Sequence, residues 1–120
     1  MKTSRDPRHQ HRINLIQQLF SWDFNKKPQK DIKPIIQELP DLDQKIATAA
    51  PAWPIEKINK IDLAILRLAI FELLLERKTP PKVVIDEAVE LGKKFGGESS
   101  PGFVNGVLGK LVEMEKIKTD

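Results

Sequence analysis

The chain has 120 residues and no cysteine, so it can form one domain of ordinary size and cannot form disulfides or thiolate metal sites. Hydrophobic residues make up 40% of the chain and charged residues 31%, which is typical of a globular protein and disfavours a disordered one. No apolar stretch is long enough to span a bilayer, and no hydrophobic signal segment opens the chain. We therefore expect a cytoplasmic protein without membrane contact.

The net charge of +3 is concentrated near the N-terminus. Residues 1–33 carry eight Lys and Arg against three Asp and Glu, whereas residues 34–120 carry twelve against fourteen. Such asymmetry is typical of proteins that bind a polyanion, although a basic terminus that only aids solubility gives the same pattern. Charge alone leaves both interpretations open.

Helical patterns recur along the chain, and apolar and polar residues nowhere alternate for long enough to indicate a strand. We therefore predict an all-α fold. The first helix is predicted to begin at Asp6-Pro7, an N-cap residue followed by proline, and to run to about Phe24. Two short helices are predicted over residues 31–39 and 41–49. The predicted apolar stripe of the first helix consists of Ile13, Ile16, Phe20 and Phe24.

Residues 54–77 are predicted to form one helix that is apolar on nearly all sides, which indicates the centre of a helical bundle. A further helix is predicted after Thr79-Pro80-Pro81, and the last helix opens at Ser100-Pro101. Gly106 and Gly109 lie inside that last helix. Because glycine weakens a helix by about 1 kcal/mol relative to alanine, we expect both positions to be in close contact with another backbone.

The sequence offers little for catalysis or metal binding. His9 and His11 are the only histidines, and two positions apart on a helix they point in nearly opposite directions. The carboxylate pairs at positions 41/43 and 86/87 have ordinary explanations as helix caps, first-turn residues or diverging groups. No phosphate-binding glycine loop or nucleophile elbow is present. We expect no catalytic residue, no metal and no cofactor, and therefore a protein that is not an enzyme.

Two arginines near the N-terminus share a helical line with core residues. Arg8 and Arg12 lie four positions apart, on the line that continues through Leu15 and Leu19. Because a guanidinium group cannot lie unpaired in a core, this end of the helix is predicted either to overhang the bundle or to present its arginines to an external ligand. The forked donor of arginine suits phosphate. A solvated helix start with extended arginine side chains stays an alternative.

Phe103, in the first turn of the last predicted helix, is a second candidate for ligand contact. It lies beside Ser99, Ser100 and Gly102. An exposed aromatic ring in such a turn is suited to stacking on an unpaired base. Packing in the core is the alternative, and the sequence leaves both open.

Four sequence blocks are similar to one known family. They are LFSW at residues 19–22, INKIDLAILRLAIFEL at 58–73, PKVVIDEAVEL at 81–91 and FVNGVL at 103–108. Their order and spacing resemble those of the NusB family of bacterial transcription antitermination factors. The resemblance implies a compact single domain over residues 1–120, an all-α bundle of about six helices in which two small helical bundles pack together. The part between Trp22 and Asp43 is shorter than in the family, so we expect a divergent member with a shortened N-terminal bundle. Residues 1–7 and 114–120 are expected to be flexible.

The resemblance also implies an RNA-binding adaptor. With NusE, a small-subunit ribosomal protein, such a factor is expected to recognise boxA-type single-stranded RNA in ribosomal RNA transcripts and to join the RNA polymerase antitermination complex. A protein-only helical scaffold or homodimer without RNA binding is the alternative, and a basic helical DNA-binding protein comes third because no helix-turn-helix spacing supports it. The residues that match RNA-facing positions of the family are Arg8, Arg12 and Phe103, and Lys2 and Arg5 are expected to contribute to RNA binding as their loose neighbours. Those that match NusE-facing positions are Phe20 and Asp62.

Overall fold

The computed structural model describes residues 6–119, and this part of the chain forms six α-helices and no strand. The predicted all-α fold is therefore confirmed. A 3₁₀ turn at Lys30–Ile32 precedes the second helix, and another at Ile55–Lys57 precedes the fourth. None of the helices within residues 6–119 is long and apolar enough to cross a membrane. The helices are α1 (Pro7–Asn25), α2 (Lys33–Ile36), α3 (Leu39–Ala49), α4 (Lys60–Phe71), α5 (Pro81–Phe95) and α6 (Ser100–Met114).

Helix α1 begins where the sequence predicts. The Asp6 carboxylate accepts the backbone N–H of Arg8 at 2.8 Å, which satisfies one of the free donors at the helix start. The helix ends at Asn25 and is capped by Lys26, which adopts a left-handed conformation with φ of 54°. The predicted apolar stripe is wrong at its last member, because Phe24 is 65% exposed. The ends of the chain at residues 1–5 and 120, where we expect flexibility, lie outside the described residues.

Helix α4 occupies the centre of the bundle, as its all-round apolar sequence predicts. Every residue from Asp62 to Ile70 is buried, and α1, α3, α5 and α6 all contact this helix. The predicted single helix over residues 54–77 is wrong at both ends. The side chain of Asn59 accepts the N–H groups of Ile61 and Asp62 and so starts the α-helix at Lys60. Beyond α4, Glu72–Glu76 form a wider π-helical turn.

Helices α5 and α6 pack closely where α6 begins. A Cβ atom added to Gly92 would lie 3.5 Å from the backbone of Ser100 and Pro101, and one added to Gly96 would collide with the Ser100 side chain. The expected close approach at Gly106 and Gly109 is wrong, since an added Cβ would meet nothing within 4 Å at either position. These two glycines lie on the exposed side of α6. The buried face of α6 is formed instead by Val104, Val107, Leu108 and Leu111.

Candidate nucleic-acid interface

The guanidinium group of Arg8 is presented to solvent at the start of α1. Its side chain is 84% exposed, and its contact with Asp6, at 3.3 Å, is a surface ion pair within the helix cap. Surface pairs of this kind contribute little to stability and leave the guanidinium available to a stronger acceptor. Lys2 and Arg5, the other basic residues expected near it, lie outside the described residues.

Arg12, by contrast, is 8% exposed and lies in a buried ion pair. Its Nε and Nη2 atoms donate to the two carboxylate oxygens of Glu72 at 2.9 and 2.7 Å, and Nη1 donates to Glu87 at 3.2 Å. The hydrogen bonds that Arg12 donates to Glu72, and the charges of both carboxylates, raise the pKa of Arg12 above its ordinary value. The structure places Arg12 inside the bundle, where the interior supplies two carboxylates to pair with it, whereas the sequence left overhang, presentation to a ligand and a solvated helix start open.

The two histidines have different surroundings. His9 is buried and its Nδ1 lies 3.3 Å from Oε1 of Glu87, whereas His11 is exposed. His11 lines a cleft of about 590 Å³ together with Arg8 and Lys78. No group of three or more metal-ligating side chains converges within residues 6–119.

The basic surplus of the N-terminal third is divided between the two ends of α1. Arg8 lies at the beginning, and four exposed lysines follow the end of the helix. A helix of 19 residues places these ends about 28 Å apart at 1.5 Å per residue. The second group is visible in the sequence as the run KKPQKDIK. The lysines are Lys26, Lys27, Lys30 and Lys33.

Phe103 and Asp62 lie at one small cavity beside the first turn of α6. The Phe103 ring is half-buried and meets the ring of Trp53 edge to face, with centroids 5.9 Å apart. Asp62 is 5% exposed, so its carboxyl group is not on the open surface that the NusE prediction assumes. Trp53, which is 52% exposed, was not identified as a site residue from the sequence.

Phe20 belongs to a different surface, at the end of α1. Its half-buried ring contacts the ring of Phe24 edge to face at 5.0 Å between centroids. Because Phe24 is largely exposed, the pair forms an aromatic projection beside the core. The structure thus places Arg8, Phe20 and Phe103 on three separate features. Asp86 of α5 lines one groove with Arg8 and another with Gly102, so the surface between Arg8 and the start of α6 includes a carboxylate.

Most of this chain matches one known protein family. The model of the NusB family matches residues 29–113, which is well over half of the chain. The chain belongs to the NusB family. The predicted family membership is therefore confirmed, and the matched range includes Asp62 and Phe103 but begins after α1.

Curated relatives and a solved NusB structure give the same result. The chain is 44% identical over 79 residues to the transcription antitermination protein NusB of Lachnoclostridium phytofermentans, a match covering 66% of this chain and 60% of that protein. It is 55% identical over 73 residues to NusB of Chloroflexus aggregans, a match covering 59% of this chain and 49% of that protein. The matches thus span about half to three fifths of these relatives. The structure of T. maritima NusB superposes with a TM-score of 0.80 at 30% identity, over 94% of this chain and 93% of that one.

Proposed function

We propose that this protein is an RNA-binding transcription antitermination adaptor. Together with NusE it recognises boxA-type single-stranded RNA in ribosomal RNA transcripts and joins RNA polymerase; it acts by binding and not as an enzyme. The observation that carries the proposal is the NusB match over residues 29–113, supported by the superposition on T. maritima NusB.

We propose that the RNA backbone is contacted at the start of α1, by Arg8 with Lys2 and Arg5, and that an unpaired base meets Phe103. The exposure of Arg8 and the partly exposed ring of Phe103 support this assignment. All three guanidinium nitrogens of Arg12 already donate to carboxylates. Its contribution to RNA binding is therefore to hold the beginning of α1 in place.

RNA binding is expected to depend on salt. If three or four phosphates are neutralised, log affinity for single-stranded boxA-type RNA should fall against log salt with a slope of roughly −2 to −3. Arg8→Glu should weaken binding and make the slope shallower by about 0.7, because one phosphate contact to a single strand is lost. Fluorescence anisotropy with the NusE complex, titrated at several salt concentrations, measures both quantities.

Lys27→Glu is the matched control for this experiment. Lys27 is also an exposed cation and changes the net charge equally, but it lies at the opposite end of α1. Equal losses in the two variants would show that only net charge matters and would refute the contact at Arg8. A slope near zero in the wild type would favour the protein-only scaffold.

We further propose that NusE docks on the aromatic projection formed by Phe20 and Phe24. An aromatic anchor in a partner pocket typically costs about 2 kcal/mol or more on truncation, so Phe24→Ala should weaken the heterodimer more than tenfold. Its unfolding free energy should change little, since the ring is 65% exposed. Phe20→Ala should weaken binding and also lower stability, because Phe20 packs against the core.

Calorimetric titration with NusE and thermal melts of each variant separate these effects. Val83→Ala, which trims an apolar residue that is 45% exposed on α5, serves as the control and should bind normally. Normal NusE binding by folded Phe24→Ala and Phe20→Ala variants would place the interface elsewhere. Asp62 is the other NusE-facing position implied by the family resemblance, and a partner could reach its buried carboxyl only through the cavity beside Phe103.

A further inference from the structure

A cavity of about 360 Å³ lies between the segment before α4 and the first turn of α6. This volume falls in the range of small-ligand pockets, roughly 300 to 1,000 Å³. Its wall combines two aromatic rings, a carboxyl group, an amide and an ammonium group. The polar and aromatic residues that line it are Trp53, Lys57, Asn59, Asp62, Ser99 and Phe103.

The two rings leave aromatic surface available to a ligand. Their planes are inclined by 75° and their centroids are 5.9 Å apart, so the two rings do not stack on each other and the edge of one ring covers at most one face of the other. More than half of the Trp53 side chain is open to solvent. Stacking on such rings is the usual way in which proteins hold an unpaired base.

Asp62, which lines the cavity, carries an unpaired acceptor. The residue is 5% exposed, and its Oδ1 atom is buried without a hydrogen-bond partner within the described part of the chain. The hydroxyl of Ser100 bonds to the carboxyl group, but burial outweighs this bond and raises the pKa of Asp62. Leaving a buried acceptor unpaired is costly. A ligand that brings N–H donors to this carboxylate would remove that cost.

We propose that this cavity binds one unpaired guanine base of single-stranded RNA, stacked on the exposed ring of Trp53, with Phe103 beside it, and hydrogen bonded to Asp62. Guanine carries two neighbouring N–H donors, N1–H and the 2-amino group, on one edge, and a carboxylate accepts both. Adenine and cytosine place a ring acceptor beside their amino group, and uracil flanks its single N–H with two carbonyls. A carboxylate therefore disfavours all three. The proposal rests on the RNA-binding function proposed above.

The cavity is tested with free nucleotides, so that the result does not depend on the rest of the RNA site. Guanosine, inosine and adenosine monophosphates are titrated into the whole protein while tryptophan fluorescence is followed. The guanine nucleotide should quench the signal and bind roughly tenfold or more tightly than the adenine nucleotide, in line with a bidentate base contact. Inosine monophosphate, which lacks the 2-amino group, should bind with intermediate affinity.

Three variants complete the experiment. Asp62→Asn should abolish the preference for guanine, whereas Asp41→Asn, which alters an exposed carboxylate on α3, should preserve it. Trp53→Phe should remove the fluorescence response. Because the pKa of Asp62 is raised in the folded state, its ionisation opposes folding as pH rises, so Asp62→Asn should remain folded at neutral pH.

Failure of this proposal is distinguishable from failure of the proposed function. Salt-dependent RNA binding without any guanine preference overturns the guanine site and leaves the adaptor function standing. Guanine selectivity in a protein that binds no RNA leaves the guanine-selective cavity standing and overturns the adaptor function. If guanosine monophosphate does not bind and Asp62→Asn weakens the NusE complex, the cavity receives a basic side chain of the protein partner, and the guanine assignment is wrong.

Discussion

Replacing Glu72 by alanine should lower the free energy of unfolding by about 3–5 kcal/mol, the usual cost of removing one partner from a buried ion pair. Glu72 holds two nitrogens of Arg12 at 2.7 and 2.9 Å, and both side chains are at most 10% exposed. Without Glu72, Arg12 keeps Glu87 as its remaining carboxylate. Urea unfolding followed by circular dichroism measures the loss.

Glu76→Ala is the matched control, because Glu76 is an exposed glutamate in the same π-helical turn. Its replacement should change the unfolding free energy by less than about 0.5 kcal/mol. A double variant, Arg12→Met with Glu72→Met, should lose less than the sum of the two single variants, since neither charge is then left alone. Similar small losses for Glu72→Ala and Glu76→Ala would show that the buried pair is unimportant.

Replacing Arg67 by methionine should cost a similar amount, about 3–5 kcal/mol. Arg67 lies in the centre of α4, donates twice to Asp43 at 2.9 Å and once to Asp23 at 3.1 Å, and is 4% exposed. After its removal, water can hydrate Asp43, whose side chain is 27% exposed. The Asp23 side chain is 6% exposed and keeps the more distant Lys26 and Lys60 as partners. Thermal and urea unfolding of the same samples give the effect.

A second substitution, at Asp23 or at Asp43, identifies which unpaired carboxylate causes the loss of stability in Arg67→Met. Adding Asp23→Asn to Arg67→Met should recover more stability than adding Asp43→Asn, because Asp23 is the more deeply buried carboxylate. Arg67→Lys should fall between wild type and Arg67→Met, since it retains the charge but cannot form the forked contact with Asp43. Equal recovery from both second-site changes would contradict the assignment of the cost to Asp23.

The helices themselves follow largely from local sequence. The Asp6-Pro7 start of α1 and the Ser100-Pro101 start of α6 are encoded in neighbouring residues, and the all-round apolar character of α4 gives its central position. The start of α4 was missed although a local signal exists, because Asn59 is an N-cap residue placed just before the apolar run.

The buried ion pairs could not be predicted in the same way. Arg12 and Glu72 are 60 residues apart, and Arg67 and Asp43 are 24 apart. Hydrophobic periodicity describes one helix at a time and contains no information on which charges meet between helices. For the same reason the sequence did not predict that Arg12 is paired inside the bundle or that Asp62 and Phe103 line one cavity.

The two ion pairs also determine which way α1 can lie on α4. Near its start α1 contributes a cation, Arg12, which meets Glu72 at the end of α4; near its end it contributes an anion, Asp23, which meets Arg67. If α1 were turned end for end, Arg12 would approach Arg67 and Asp23 would approach Glu72. Apolar side chains such as Ile16 and Leu19 would tolerate either direction, but two buried pairs of like charge would not. The charged residues inside this bundle therefore select the antiparallel direction of its first helix, which places Arg8 in the groove that Asp86 of α5 also lines.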